Sequence, residues 1–108
     1  MIETTTDFVP GMKISKILGV VRGNTIRSRG VGGHIIAGLE SIVGGEISAY
    51  VVALNEARTE AYAKMIKEAE KLGADAVINI RFVTSEVMPQ AAEMLAYGTA
   101  VKLSSGEA

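Results

Sequence analysis

The chain has 108 residues, 11 basic and 12 acidic, with a formal charge of -1 and no cysteine. The balanced charge excludes the electrostatic footprint of a nucleic-acid or anionic-membrane binder. The lack of cysteine excludes disulfides, thiolate nucleophiles and Cys-ligated zinc or iron–sulfur centres. Hydrophobic residues make up 48% of a chain of one-domain length. So small a domain has a large surface fraction, and the surplus apolar surface points to a subunit interface, so a homo-oligomer is expected. The longest apolar run falls far short of the ~20 residues of a membrane span. The opening Met1-Ile2-Glu3-Thr4-Thr5-Thr6-Asp7 lacks the basic and apolar regions of a signal peptide. A cytoplasmic protein is expected.

In chain order, residues 2–6 read as a short edge strand, and Pro10-Gly11 as a turn. Residues 12–21 read as a strand carrying Ile14, Ile17, Leu18, Val20 and Val21. Gly23-Asn24 reads as a turn, with residues 25–28 pairing back as a second short strand. The glycine-rich 29–33 segment is a flexible connection, and 34–43 reads as a short helix ended by Gly44-Gly45. A long helix follows, with Ser48 as its candidate N-cap. Leu54, Ala57, Ala61, Met65, Ala69 and Leu72 fall on one face, widened by Tyr62 and Ile66. Glu56, Glu60, Lys64, Lys67 and Lys71 fall on the other. Gly73 stands where a left-handed residue stops the helix.

The period then changes. Ala76, Ile78, Ile80 and Phe82 alternate with Val77, Asn79, Arg81 and Val83, the pattern of a strand with one face on a helix. Residues 85–92 read as a loop carrying Pro89, and 93–103 as the last strand. Residues 104–108 read as a frayed tail. Residues 1–108 are expected to form one α+β domain, a two-layer antiparallel sheet packed on one long and one short helix.

Chemistry-bearing residues are sparse. His34 is the single histidine, and no carboxylate stands at a diagnostic metal spacing from it. A surface or interface role is the plainer reading. Asp75 follows the helix-ending glycine, where Asp commonly bonds the turn's own backbone, although a cation or a base role is also open. Glu86 and Glu93 flank the loop between the last strands, but nothing in their spacing brings them together. Arg22, Arg27 and Arg29 form the one local basic group, and Arg27 and Arg29 could hold an anion. Gly30-Val31-Gly32-Gly33 and Gly44-Gly45 lack the strand, helix and polar anchors of a nucleotide loop. Tyr50, Tyr62 and Tyr97 read as core or interface aromatics. One histidine supports no catalytic triad.

Several stretches resemble the YbjQ family. They are Thr4-Thr5-Thr6, Ile36-Ala37-Gly38-Leu39-Glu40-Ser41-Ile42-Val43-Gly44-Gly45, Ser48-Ala49-Tyr50, Ala57-Arg58, Leu72-Gly73-Ala74-Asp75-Ala76-Val77 and Gly98-Thr99-Ala100-Val101-Lys102. The resemblance runs in order over nearly the whole chain. It implies a dodecin-like α+β subunit in a ring-shaped homopentamer, with short extra strands linking neighbours, and a family label of heavy-metal binding. The chain departs from that pattern with Asn79, Arg81 and Val83 where relatives carry acidic residues, and with Glu46 where they carry Arg after the double glycine.

The sequence therefore supports a homopentameric binding or scaffold protein, without catalytic residues and with no cofactor named. A small ligand or metal ion at subunit interfaces is the expected cargo. A fivefold axis would repeat Asp75, Glu46 or Arg29 five times, and Asp75, His34 and Glu46 are the candidate metal-facing residues. The alternatives are an enzyme with a composite inter-subunit site and a purely structural interaction module.

Overall fold

The computed structural model describes residues 1–28, 46–88 and 91–106. They form β1 (Ile2–Glu3), β2 (Met12–Ser28), α1 (Glu46–Lys71), β3 (Ala76–Met88) and β4 (Ala91–Ser105). The strands make one sheet in the order β1-β3-β4-β2, with α1 packed mainly over β2 and β4. The expected α+β architecture is present. The short helix expected over 34–43 lies outside the described residues.

The sheet is mixed rather than antiparallel. β2 and β3 both run antiparallel to β4, but β1 pairs parallel with β3, Ile2 opposite Ala76. β1 and β2 sit on opposite edges, so the segment between them crosses a face of the sheet instead of closing a hairpin. No tight turn then dictates an antiparallel pair.

The turn expected at Gly23-Asn24 is absent, because β2 runs unbroken through it with Gly23 opposite Ala96. Glycine serves close packing here. A Cβ at Gly23 would lie 2.2 Å from the Ala61 carbonyl oxygen and 2.5 Å from the Met65 nitrogen. The loop expected over 85–92 is also mostly strand, since Met88 pairs with Ala91. β4 is a central strand, so each residue added to its start gains partners on both sides, Met88 and Ser28 alike facing Ala91. β4 likewise continues to Ser105, opposite Met12. These strands stretch the molecule to 54 × 24 × 17 Å.

The helix buries small residues. Ala57, Ala61, Met65 and Ala69 are wholly buried, and Ala96 and Ala100 meet them from the sheet. Short side chains on both layers let backbones approach closely, with Met65 filling the space between. Leu72 was expected on this face but is 47% exposed. The chain has already left the helix there: Gly73 has φ 74°, its N–H bonds the Glu70 carbonyl at 3.0 Å, and the Ala74 N–H bonds the Ala69 carbonyl at 3.1 Å. That pair of bonds is a Schellman stop. No described helix is long and apolar enough to cross a membrane.

A bulge in β3 overturns the expected alternation. Ile78 pairs with Thr99 and Arg81 with Tyr97, so Asn79 and Ile80 together face one residue. Asn79 has φ 54°, a conformation Asn tolerates better than most side chains. Its N–H bonds the Thr6 carbonyl, and the next N–H bonds the Thr4 carbonyl. The extra residue puts Val77 and Ile80 into the core under α1, and Ala76 and Ile78 into a second cluster on the opposite face, with Val101. Val9 and Leu103 pack against that second cluster. Phe82 stays on the helix side, its ring 6.0 Å from that of Tyr62 and nearly parallel to it.

Candidate functional site

Four polar residues form a stripe along the last turns of α1: Lys64, Lys67, Glu68 and Lys71. Spacings of three and four residues put them on one side of the helix. The neighbouring layer is β2, an edge strand of the sheet among the described residues. Between them runs a two-lobed groove. One lobe, of about 290 Å³, is lined by this stripe with Arg22, Gly23 and Asn24. The other, of about 480 Å³, shares Arg22, Glu68 and Lys71 and adds Val20, Val21 and Leu72.

On the α1 side the first lobe carries three lysines and one carboxylate, in a chain whose formal charge is -1. Lys64 is engaged: its Nζ donates to the Asn24 carbonyl at 2.9 Å and lies 3.5 Å from Glu60 Oε1. Among the described residues, Arg22, Lys67 and Lys71 make no ion pair. Leu72, at the helix exit, is 47% exposed on the wall of the second lobe.

The Asn24 carbonyl reaches Lys64, so it points away from β4. Antiparallel geometry then turns the N–H and C=O of Arg22 and Asn24 alike toward that edge. The groove is floored by backbone donors as well as walled by ammonium groups. Arg22 also lines a cavity of about 410 Å³ with Asn24, Glu93 and Leu95, where Asn24 Nδ2 donates to Glu93 Oε2 at 3.0 Å.

Asp75 is occupied by the fold. One carboxylate oxygen accepts the Leu103 N–H at 2.9 Å, and the other lies 3.3 Å from Lys102 Nζ. The Leu103 N–H first, and then Lys102, lower the Asp75 carboxyl below the usual carboxylate range. Lys102 also donates to the Gly73 carbonyl at 3.2 Å, so one cation ties the helix exit to the end of β4. Tyr62 is also structural. Burial, and then its hydrogen bond to the Glu3 carboxylate, push its hydroxyl up to about 12. His34 lies outside the described residues, as does the Glu46 side chain at the start of α1. Glu86 and Glu93 lie on opposite faces of the sheet, since Glu93 pairs with Ser85 and Glu86 with Ala92.

Sequence reasoning placed Arg22 with Arg27 and Arg29, its neighbours along the chain. The structure instead lays its strand beside lysines more than forty positions away. The i, i+3, i+7 lysine spacing was legible, but the strand lying beside it was not.

A family model of YbjQ, described as "Putative heavy-metal-binding", matches residues 1–104. The chain belongs to this family. A relative from Methanoculleus marisnigri is 59% identical over 95% of this chain and 96% of its own length. Another, from Archaeoglobus fulgidus, is 60% identical over 95% of each chain. Both are named "UPF0145 protein", a name that assigns no activity. A crystal structure of a protein of unknown function in the DUF74 family, from Pediococcus pentosaceus, aligns with a TM-score of 0.64. It covers 96% of this chain and 98% of its own at 21% identity, a likeness of fold.

The described part of this YbjQ member does not fit a heavy-metal ion. The chain has no cysteine, and the described residues hold no group of three His, Asp or Glu side chains able to share a metal. Asp75 already spends both oxygens on β4. Soft thiolate ligation is therefore closed to it.

Proposed function

We propose that this YbjQ protein is a cytoplasmic homo-oligomeric binding or scaffold protein with no catalytic chemistry of its own. One observation carries the reading: among the described residues, half of the sheet face away from α1 leaves large apolar side chains exposed between polar ones. Register places Val83, Leu95 and Asn24 in one row on that face, and Arg81, Tyr97 and Arg22 in the next. Val83 is 43% exposed, Ile26 54% and Tyr97 36%. Large apolar side chains exposed together, interleaved with polar ones, are the kind of surface a protein interface covers. The shape agrees, because the radius of gyration of 17.0 Å exceeds the ~13 Å expected for a compact domain of about this length. A ring of five, as the family resemblance implies, would cover this face.

Sedimentation equilibrium tests the assembly. The expected mass is five times the 11.3 kDa of one chain. A particle of 11.3 kDa at micromolar concentration overturns it.

A further inference from the structure

We propose that neighbouring copies of this chain join head to tail, with Ile2 and Phe8 of one N-terminal segment packing on Ile14, Ile17 and Val20 of the next subunit. This rests on the homo-oligomeric reading above and names the surfaces that join the subunits.

Exposure marks the first surface. Ile17 is 67% exposed and Val20 74%, more than any other large apolar side chain among the described residues, and Ile14 is exposed beside them. Register puts all three on the sheet face away from α1, with Ile14 opposite Leu103, Ile17 opposite Val101 and Val20 opposite Thr99. They form an apolar stripe along an edge strand, and burying such a stripe is favourable.

The rest of the same chain is too short to reach Ile14 and Ile17. α1 runs antiparallel to β2, with Glu68 beside Val21 and Ala61 beside Gly23, so Glu46 and Ser28 lie at one end of the molecule. Residues 29–45 leave Ser28 and return to Glu46, so even fully stretched they extend at most about 32 Å. Ile17 lies about 36 Å from Ser28 along β2, and Ile14 farther. Residues 89–90 join Met88 to Ala91 at that same end. At the other end Gly106 bonds Gly11, and residues 107–108 beyond it span about 7 Å. From Gly11 to Ile17 is about 20 Å of chain. The stripe is therefore left to a second molecule.

Charge selects the surface that meets it. Lys13 and Lys16 flank the stripe, are exposed, and make no ion pair among the described residues. Two β2 edges set against each other would gather these lysines from both copies, which disfavours a twofold contact. Residues 1–9 carry Glu3 and Asp7 and no basic side chain, and they leave Ile2 and Phe8 exposed. Ile2 pairs with Ala76, so it stands on the same face as the stripe but at the opposite edge of the sheet. One edge is apolar and acidic, the other apolar and basic. A contact between two unlike surfaces repeats around an axis and can close into a ring. Register shifts between Ile14 and Lys16 and between Ile17 and Gly19 make this stretch of edge a poor template for strand pairing, so the contact rests on side chains.

Sedimentation of two complementary variants tests this. Ile17→Asp spoils the β2 surface and leaves the N-terminal one intact, and Ile2→Asp does the reverse. Both positions are exposed, so each subunit should keep its fold, which circular dichroism checks. Each variant alone is expected to sediment at the 11.3 kDa of one chain. An equimolar mixture is expected at twice that mass, because one intact contact remains and no ring can close. Val20→Asp and Phe8→Asp form a second pair for use if either first variant fails to fold. Lys13→Glu combined with Lys16→Glu should also lower the mass. Variants that keep the wild-type mass, or a mixture that stays at the mass of one chain, overturn the head-to-tail contact and leave the assembly standing. A wild-type chain that is itself a monomer overturns both.

Discussion

The two faces of the sheet use the same strands and are closed by different means. Under α1 the contacts are small against small. Ala57, Ala61 and Ala69 meet Ala96, Ala100 and the bare backbone of Gly23. On the far face a short N-terminal segment covers one half, with Val9 over Ala76, Ile78 and Val101, and among the described residues Val83 and Ile26 of the other half are exposed. The helix side has no slack, so it defines the monomer. The far side has apolar surface to spare, so it can serve an assembly. Side chains with room to move tolerate substitution, and backbones in contact do not.

The sharpest way to break this contrast is Gly23→Ala. Its Cβ would meet a carbonyl oxygen, an amide nitrogen and Lys64 Cβ at 2.2 to 2.6 Å. Two of these are backbone atoms, so the helix itself must lift. Chemical denaturation should show a loss of about 3 kcal/mol or more. A loss below about 1 kcal/mol would mean that the layers are not locked at this point.

Asn79→Val comes next. It puts a β-branched residue at φ 54°, the conformation that steers Ile80 to the helix side. A cost of about 1–3 kcal/mol is expected, with Asn79→Gly close to wild type. Equal stability of Val and Asn would show that the bulge does not need its positive φ.

Val83→Ser probes the far face. At 43% exposure its cost to an isolated subunit should stay within about 0.5 kcal/mol. Its effect should fall on the sedimenting mass instead. A large fall in subunit stability with no change in mass would erase the difference between the two faces.

The smallest effect concerns pH. The Asp75 carboxyl sits below its ordinary value because of the Leu103 N–H and Lys102. Its contribution to stability is therefore present above the unfolded carboxylate pKa of about 3.9. It is lost as pH falls through the lowered folded value. Asp75→Asn should lower the melting temperature near pH 7, and the gap to wild type should close on acidification. A gap that persists at low pH would show that the contact is not electrostatic.

Local chemistry was legible where it acts over a few residues. The lysine stripe and the Glu60–Lys64 pair were visible as spacings, and the pair stands at 3.5 Å. The Gly73 stop read correctly because a Schellman turn needs only its own neighbours. Gly23 was misread as a turn, because a glycine for bending and a glycine for contact look alike until the helix above it is placed. Asn79 inside a β-branched run was the one available hint of a bulge, and simple alternation passed over it.

The sequence by itself determined the family, the α+β class, the long helix with its buried stripe, and the exclusion of cysteine chemistry. These depend on residue identity and short periods, which the chain carries locally. Only the tertiary structure decided that β1 runs parallel, that β2 continues past Gly23, that Ile78 and Ile80 part to opposite faces, and that β2 at Gly23 runs close under the lysine-bearing end of α1. Each of these depends on partners far apart in the chain, and no local spacing encodes which strand edge a helix will overhang.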